Sequence, residues 1–253
     1  MQRPIPMSSA VTVPTPDQAS RPQTIYRHRV ATRVWHWLNA LAILTLLGSG
    51  MMISNAHPHL YWGKYGANFD RPWWNPPTFP GFVTIPSTYN LAMGRRWHLF
   101  FALVLAFGLL GYMVVSLINK HFLRDLTVKL RELRPAHLWS DFRAHLNFRF
   151  HDPERPGDYN IFQKLSYVGV IFVLIPLAIL TGLALSPGMD AAWPWLLVLL
   201  GGRQTARSIH FLAASGLALF TVVHLVLVIL AGAWSELRSI VTGWWTVPEE
   251  KRA

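Results

Sequence analysis

The chain contains no cysteine. That absence excludes disulfides, cysteine-held iron–sulfur clusters and covalently attached c-type haem, so any cofactor must be held by other side chains. Charge is also scarce: Asp, Glu, Lys and Arg make up 14% of the residues, against roughly 25% in a soluble domain. Acidic residues are rarer still, 12 against 23 Lys and Arg, and none lies within the long apolar stretches. What the chain does have is apolar bulk, with 52% hydrophobic residues including 12 Trp and 14 Phe. This composition belongs to an integral membrane protein with aromatic side chains for both interfaces. The net charge of +11 could suit nucleic acid, but the cations gather between apolar stretches. That is the pattern of membrane topology, and no nucleic-acid partner is expected.

Four stretches are long enough to cross a hydrocarbon core about 30 Å thick, at about residues 34–53, 97–119, 165–185 and 209–231. Trp193–Leu200 is too short to span and reads as an interfacial or re-entrant piece. Arg27, Arg29 and Arg33 precede the first span, and nine Lys and Arg from Lys120 to Lys164 lie between the second and third. The opposite side carries fewer, so the positive-inside rule puts both termini in the cytoplasm. The first span also resembles a signal peptide with Ser54-Asn55-Ala56 as a weak cleavage site. It is too long for one, and cleavage would discard His36, so a retained span is expected.

The expected organisation is a disordered cytoplasmic tail over residues 1–25, a four-helix membrane domain over 26–246 and a cytoplasmic tail over 247–253. Met1–Gln23 is rich in Pro, Ser and Thr without an apolar period. The periplasmic loop 54–94 is full of Pro and aromatics and reads as an ordered cap with a docking surface, or alternatively as a lid on lipid headgroups. In the cytoplasmic loop 120–164, Leu123, Leu126, Leu130 and Leu133 fall at helical spacing and read as a short helix on the inner membrane surface. No convincing internal repeat is visible.

Four histidines carry the chemistry. His210 and His224 are fourteen positions apart in a stretch without charge. Fourteen helical residues advance about 21 Å and return to within about 40° of the starting direction, so both imidazoles leave one face at different depths. With both termini inside, His98 and His210 share the outer level, and His36 and His224 the inner one. Each pair is placed to grip one iron from opposite sides, giving an all-α integral membrane four-helix bundle with two stacked haems b. Gly48, Gly50, Gly108, Gly111 and Gly216 offer close approach to a flat ring. Arg95, Arg96 and Arg207 at the outer level and Arg33 at the inner level suit propionates. Each feature has a plainer reading, since membrane histidines bond neighbouring helices, glycines pack and arginines snorkel. Four histidines at two matching depths are hard to obtain by accident. The remaining histidines lie in loops and read as solvated. His57-Pro58-His59 offers two ligands to a metal, which alone is weak.

Arg33-Val34-Trp35-His36-Trp37-Leu38, followed by an apolar run ending in Gly48-Ser49-Gly50, resembles the first-helix signature of the cytochrome b subunits of nickel–iron hydrogenases. That signature often ends Thr-Gly, and here it ends Ser49-Gly50. The His210/His224 spacing is also similar to that family, to the membrane subunit of respiratory formate dehydrogenase and to bacterial cytochrome b561. The resemblance covers about Tyr26 to Trp245. Gly94-Arg95-Arg96-Trp97-His98, Tyr159-Asn160-Ile161-Phe162-Gln163-Lys164 and Ser186-Pro187-Gly188-Met189-Asp190 look most like a branch accompanying periplasmic molybdopterin oxidoreductases.

The resemblance implies a membrane-anchoring, quinone-reactive di-haem subunit in the bacterial inner membrane. It would pass electrons between a periplasmic oxidoreductase, of molybdopterin or hydrogenase-like type, and quinone. A quinone pocket near the inner haem makes Asn39 the first candidate contact, with Tyr159, Asn160 and Gln163 also near the inner surface. Helix capping or interhelical bonding is the alternative role for these four. Two other functional classes compete. A free-standing quinone oxidoreductase acting on a small species such as superoxide would need an open outer haem. A haem-free transporter would use the histidines as proton relays, but lacks acidic residues in its spans.

Overall fold

The computed structural model describes residues 24–66, 70–119, 134–146 and 161–246. The expected surface helix around Leu126, most of both terminal tails, and Tyr159 and Asn160 lie outside these residues. Four helices are long and apolar enough to cross a membrane: α1 (Val30–Ala56), α2 (Leu91–Ile118), α4 (Ile161–Leu185) and α7 (Arg203–Thr242). Their faces expose Leu41, Leu44, Leu99, Phe107, Val222 and Ile229 among many others. A water-soluble protein would not tolerate that much exposed apolar surface, whereas hydrocarbon wets it. The protein is a multi-pass membrane protein.

Each helix outruns the apolar stretch that announces it. α2 begins at Leu91 because Asn90 caps it, its side chain accepting from Met93 N–H at 3.0 Å. The polar first turns of α1 and α7 likewise contain Arg33 and Arg203. They lie beyond the hydrocarbon, where hydropathy no longer reports helix. Within α4 a π-turn runs over Val170–Leu174 just before Pro176, whose missing N–H and ring clash disturb the ladder. At 40 residues, α7 would be about 60 Å long if straight. It is broken at Gly232, where φ is 107° and ψ 81°, a conformation that a side chain disfavours. The expected end of the fourth span, Ala231, adjoins this break.

Helices α1 and α2 pack as one antiparallel pair and α4 and α7 as another, with the core around Ala42, Phe101, Leu105, Ile175 and Leu217. Two short helices, α5 (Pro187–Ala192) and α6 (Pro194–Leu199), fill the connection before α7, where a non-spanning piece was expected. Helix α3 (Pro135–Leu146) in the inside loop was not foreseen; Pro135 at its first position and Arg143 over Trp139 at 5.2 Å were its available signals.

Strand β1 (Thr24–Tyr26) pairs antiparallel with β2 (Trp244–Thr246), so the two flanks of the bundle meet at one end. Thr24 and Ile25 fall within the stretch expected as disordered tail. The pairing is invisible locally because its partners lie over 200 residues apart. A buried cluster holds it: Arg27 contacts Glu236 at 3.3 Å and lies 5.0 Å over the Trp245 ring, and Trp245 Nε1–H donates to Glu236 at 3.0 Å. Trp245 is 1% exposed. Trp245→Ala is expected to cost about 3 kcal/mol and to lower the thermal unfolding midpoint of the detergent-solubilised protein, read by circular dichroism. An unchanged midpoint would show that the clasp adds nothing to stability.

Candidate functional site

The structure brings the four histidines together as two pairs. The His98 and His210 ring centres are 6.0 Å apart, and those of His36 and His224 6.3 Å. A metal–imidazole bond of about 2 Å at each end, plus roughly 1 Å from ring nitrogen to ring centre, gives about 6 Å. The donor spacing thus fits one iron between each pair. The pairs lie at opposite ends of the bundle, since His210 and His224 are separated by about 21 Å along α7.

The His98/His210 pair, expected at the outer level and called the outer pair for that reason, is oriented by hydroxyls. His98 Nδ1 lies 3.0 Å from Ser49 Oγ of α1, and His210 Nδ1 lies 2.9 Å from Thr181 Oγ1 of α4. Gly50 and Gly182 follow these hydroxyls, and a Cβ on either would stand 3.5 or 3.4 Å from Cε1 of the adjoining ring. Ser49 was read from sequence only as part of the first-helix signature, and Thr181 and Gly182 were not singled out. The signal available was the echo of Ser49-Gly50 in Thr181-Gly182, too short to register as a repeat.

Arg95 and Arg207 stand one turn before His98 and His210 and meet at His57. Arg95 Nη2 is 3.3 Å from His57 Nε2, and the Arg207 guanidinium donates to the His57 carbonyl. Burial first, then the Arg207 and Arg95 charges, lower the His57 pKa below its ordinary value. His57, expected to be merely solvated, therefore stands as a neutral partner between the Arg95 and Arg207 cations at the His98/His210 end. Arg96 is exposed beside it. His59 instead faces Asn75 Oδ1 at 2.7 Å, so the two histidines do not converge. Among the described residues no group of three or more metal-capable side chains forms.

The cap over the outer end is tied to the helices. The Gly63 carbonyl accepts from Gln204 and Thr205 N–H at 3.1 and 3.2 Å, supplying partners that the first turn of α7 lacks. Gly202, at φ +108°, permits the approach, since a Cβ there would stand 2.7 Å from Gly63 O. Trp73 stacks on Trp62 at 5.2 Å and donates to Ser208 Oγ at 2.9 Å, while Ser208 donates to Tyr61 O at 2.6 Å. Further along, Asn55 holds Phe79 through two 2.8 Å bonds, and Ile85 N–H donates to Gly48 O at 3.1 Å. Gly48 lies eight residues before the end of α1, so the Thr84–Pro86 turn dips about 12 Å along that helix, beside Ser49.

The inner end is different. Among the described residues, His36 Nδ1 and Asn39 Oδ1 are buried without a hydrogen-bond partner, as are Arg27 Nε, His28 Nδ1, Arg33 Nε and Ser239 Oγ. The Arg33 guanidinium reaches the Val241 carbonyl, tying α1 to the end of α7. His28 is held at about 4, first by burial and then by the Arg27, His36 and Arg33 charges. Phe220 stacks on His224 at 5.7 Å. Of the glycines proposed as ring clearance, Gly48, Gly108 and Gly216 instead face Ile85, Trp35 and Leu174. A Cβ on Gly111 would meet nothing within 4 Å.

A four-helix membrane bundle with two facing imidazole pairs has the architecture of a b-type cytochrome. The chain belongs to the prokaryotic cytochrome b561 family, whose sequence model matches residues 27–243. It is 27% identical over 242 residues to a probable Ni/Fe-hydrogenase B-type cytochrome subunit of Azotobacter vinelandii, covering 88% of this chain and 90% of that one. It is 25% identical to a protein of the same name from Cupriavidus necator, covering 87% and 86%. A putative protein-methionine-sulfoxide reductase subunit YedZ1 of Azospira oryzae is 28% identical over 205 residues, covering 78% and 87%. No solved structure matches the chain. Membership implies b-type haem.

Ser208, two positions before His210, joins cap to bundle and leaves no side-chain contact to spare. Ser208→Ala leaves the Trp73 N–H and the Tyr61 carbonyl short of a partner, a loss of roughly 1–3 kcal/mol. Faster hydrogen exchange or protease cleavage confined to residues 57–90 is the expected result. Unchanged protection would mean that the Gly63 contacts alone hold the cap.

Proposed function

We propose that this protein is the membrane-anchoring, di-haem subunit of a respiratory complex, carrying electrons between an oxidoreductase on the periplasmic side and the quinone pool. The observation that carries the reading is the pair of imidazole pairs, each spaced for one iron, at opposite ends of one bundle. His98 and His210 would hold the outer haem b, and His36 and His224 the inner one. Bound haem supplies the one-electron couple of its iron, while the protein supplies axial ligation, orientation and a dry surround.

The chain's own residues account for the rest. Arg95 and Arg207, which meet at a neutral His57, concentrate positive charge where outer propionates would lie, and Arg96 follows Arg95 on α2. Arg33 offers the same at the inner level. Gly50 leaves space flanking the His98 ring, and Gly111 leaves open space on α2. The side rich in Lys and Arg faces the cytoplasm of a bacterial inner membrane, with both termini inside. The outer side then presents Lys64, Arg71 and the exposed rings of Tyr65 and Phe82 to a partner. The relatives named above belong to hydrogenase and to sulfoxide reductase systems, and a molybdopterin or hydrogenase-like partner accords with the sequence motifs. A hydrogenase-like donor would send electrons to quinone, and a sulfoxide-repair partner would draw them from quinol. The turn through Ile85 packed on Gly48 argues against a free-standing enzyme that admits superoxide to an open outer haem.

The unpartnered polar atoms gathered around Asn39 and His36 support a quinone site at the inner end. A buried polar atom without a partner is costly, and quinone oxygens would supply one. Gln163 enters α4 at the same end.

A dithionite-reduced minus oxidised spectrum of purified protein, with haem quantified per chain, tests the reading. Two b haems are expected, His210→Ala and His224→Ala each losing mainly one. A well-folded protein without haem would refute it and bring a transporter forward. Asn39→Leu should lower quinone turnover roughly tenfold, as expected for one lost buried hydrogen bond, with the haem spectrum unchanged. Normal turnover removes Asn39 from the site.

A further inference from the structure

We infer that Ser49 and Thr181 are paired positioning residues that accept a hydrogen bond from both outer histidines and, through it, set the midpoint potential of the outer centre apart from that of the inner one. The inference rests on the haem reading above.

Each hydroxyl has one proton to give. Ser49 Oγ donates to Thr45 O at 2.7 Å, with Leu46 O at 3.3 Å, and Thr181 Oγ1 donates to Leu177 O at 2.6 Å, with Ala178 O at 3.2 Å. Only a lone pair then remains toward the imidazole. The 3.0 Å and 2.9 Å contacts must therefore be Nδ1–H of His98 and of His210 donating to oxygen. This assignment leaves Nε2 as the lone-pair nitrogen, the one free to bind iron. Ser49 and Thr181 are both 0% exposed, so water cannot substitute for either hydroxyl; the Leu46 and Ala178 carbonyls, which also accept from His98 and His210, hold the same tautomer but are weaker-placed partners than the hydroxyls at 3.0 and 2.9 Å.

The unit occurs twice around one site. In the α1–α2 pair, Ser49-Gly50 serves His98; in the α4–α7 pair, Thr181-Gly182 serves His210. The hydroxyl aligns the ring, and the glycine leaves van der Waals clearance at Cε1. Two unlike helix pairs converging on the same hydroxyl–glycine–histidine arrangement is not what packing alone requires, since alanine fills the volume of serine without its bond.

At the inner pair the corresponding bond is missing on one side, where among the described residues no group partners the buried His36 Nδ1. An imidazole that donates its second N–H is a more basic ligand and stabilises the oxidised metal. Hydrogen bonding around a haem's ligands is one of the levers on its potential. The outer centre is accordingly pulled toward lower potential by two hydroxyls, while the inner centre lacks at least the His36 bond.

The test uses the full-length purified protein in a potentiometric titration followed optically and by electron paramagnetic resonance, the outer component being identified by its loss in His210→Ala. Ser49→Ala and Thr181→Val should each shift the outer midpoint upward and change its low-spin signal, leaving the inner component unmoved. Ser49→Thr and Thr181→Ser should restore wild-type values. Loss of the outer haem in Ser49→Ala but not in Ser49→Thr also supports the hydroxyl's role. An outer midpoint and signal unmoved in both hydroxyl-free variants would overturn the inference, as would equal loss of haem in Ser49→Ala and Ser49→Thr, which would mark a packing role. A wild-type protein without haem would instead overturn the reading on which it stands.

Discussion

An imidazole in hydrocarbon cannot leave its nitrogens to water, and that constraint organises the bundle. Each outer histidine has Nδ1 committed to a hydroxyl on a helix other than its own, and each inner histidine faces another across 6.3 Å. Meeting these demands requires all four spans at the outer level, with α1 and α4 lending oxygen and α2 and α7 lending nitrogen. The helix pairs are therefore held in register by polar bonds at the site as well as by the apolar core around Phe101 and Leu217. Hydrocarbon offers no competing hydrogen-bond partner, so these contacts select one arrangement of otherwise interchangeable apolar faces.

The two ends of the bundle then follow different logics. Outside, the chain closes over the pair: Gly63 completes the start of α7, Ser208 grips Trp73 and Tyr61, and Ile85 reaches down to Gly48. That end is covered by the chain, with Gln204 Oε1 its one buried side-chain atom lacking a hydrogen-bond partner among the described residues. At the opposite end, Arg27 Nε, His28 Nδ1, Arg33 Nε, His36 Nδ1, Asn39 Oδ1 and Ser239 Oγ are buried without a hydrogen-bond partner among the described residues. The two ends of the bundle thus differ in how the chain surrounds its imidazole pair.

The spans were legible because their apolar runs must match a bilayer, and Ala231 adjoins the break at Gly232. Helix ends were less so: Arg95 and Arg203 lie inside helices but beyond hydrocarbon, where hydropathy is silent. The four histidines were legible because helical period and depth are one-dimensional quantities. Their hydroxyl partners were not, since a Ser or Thr in an apolar helix ordinarily bonds its own backbone four residues back, and both Ser49 and Thr181 do that too. His57 looked solvated because its arginines are 38 and 150 positions away. The β1–β2 pairing escaped for the same reason, its strands being three residues each at opposite ends of the domain.

By itself, then, the sequence determined membrane residence, the number of spans, the levels of the histidines and the absence of any cysteine-held cofactor. Each is a property of composition or of spacing along one segment, and bilayer thickness and the helical repeat convert such properties directly into depth. Only the tertiary structure decided which oxygen meets which imidazole, that the cap dips beside Ser49, and that the chain's flanks are clasped by Trp245 over Arg27 and Glu236. These depend on contacts between distant segments, and no local pattern specifies where two helices cross.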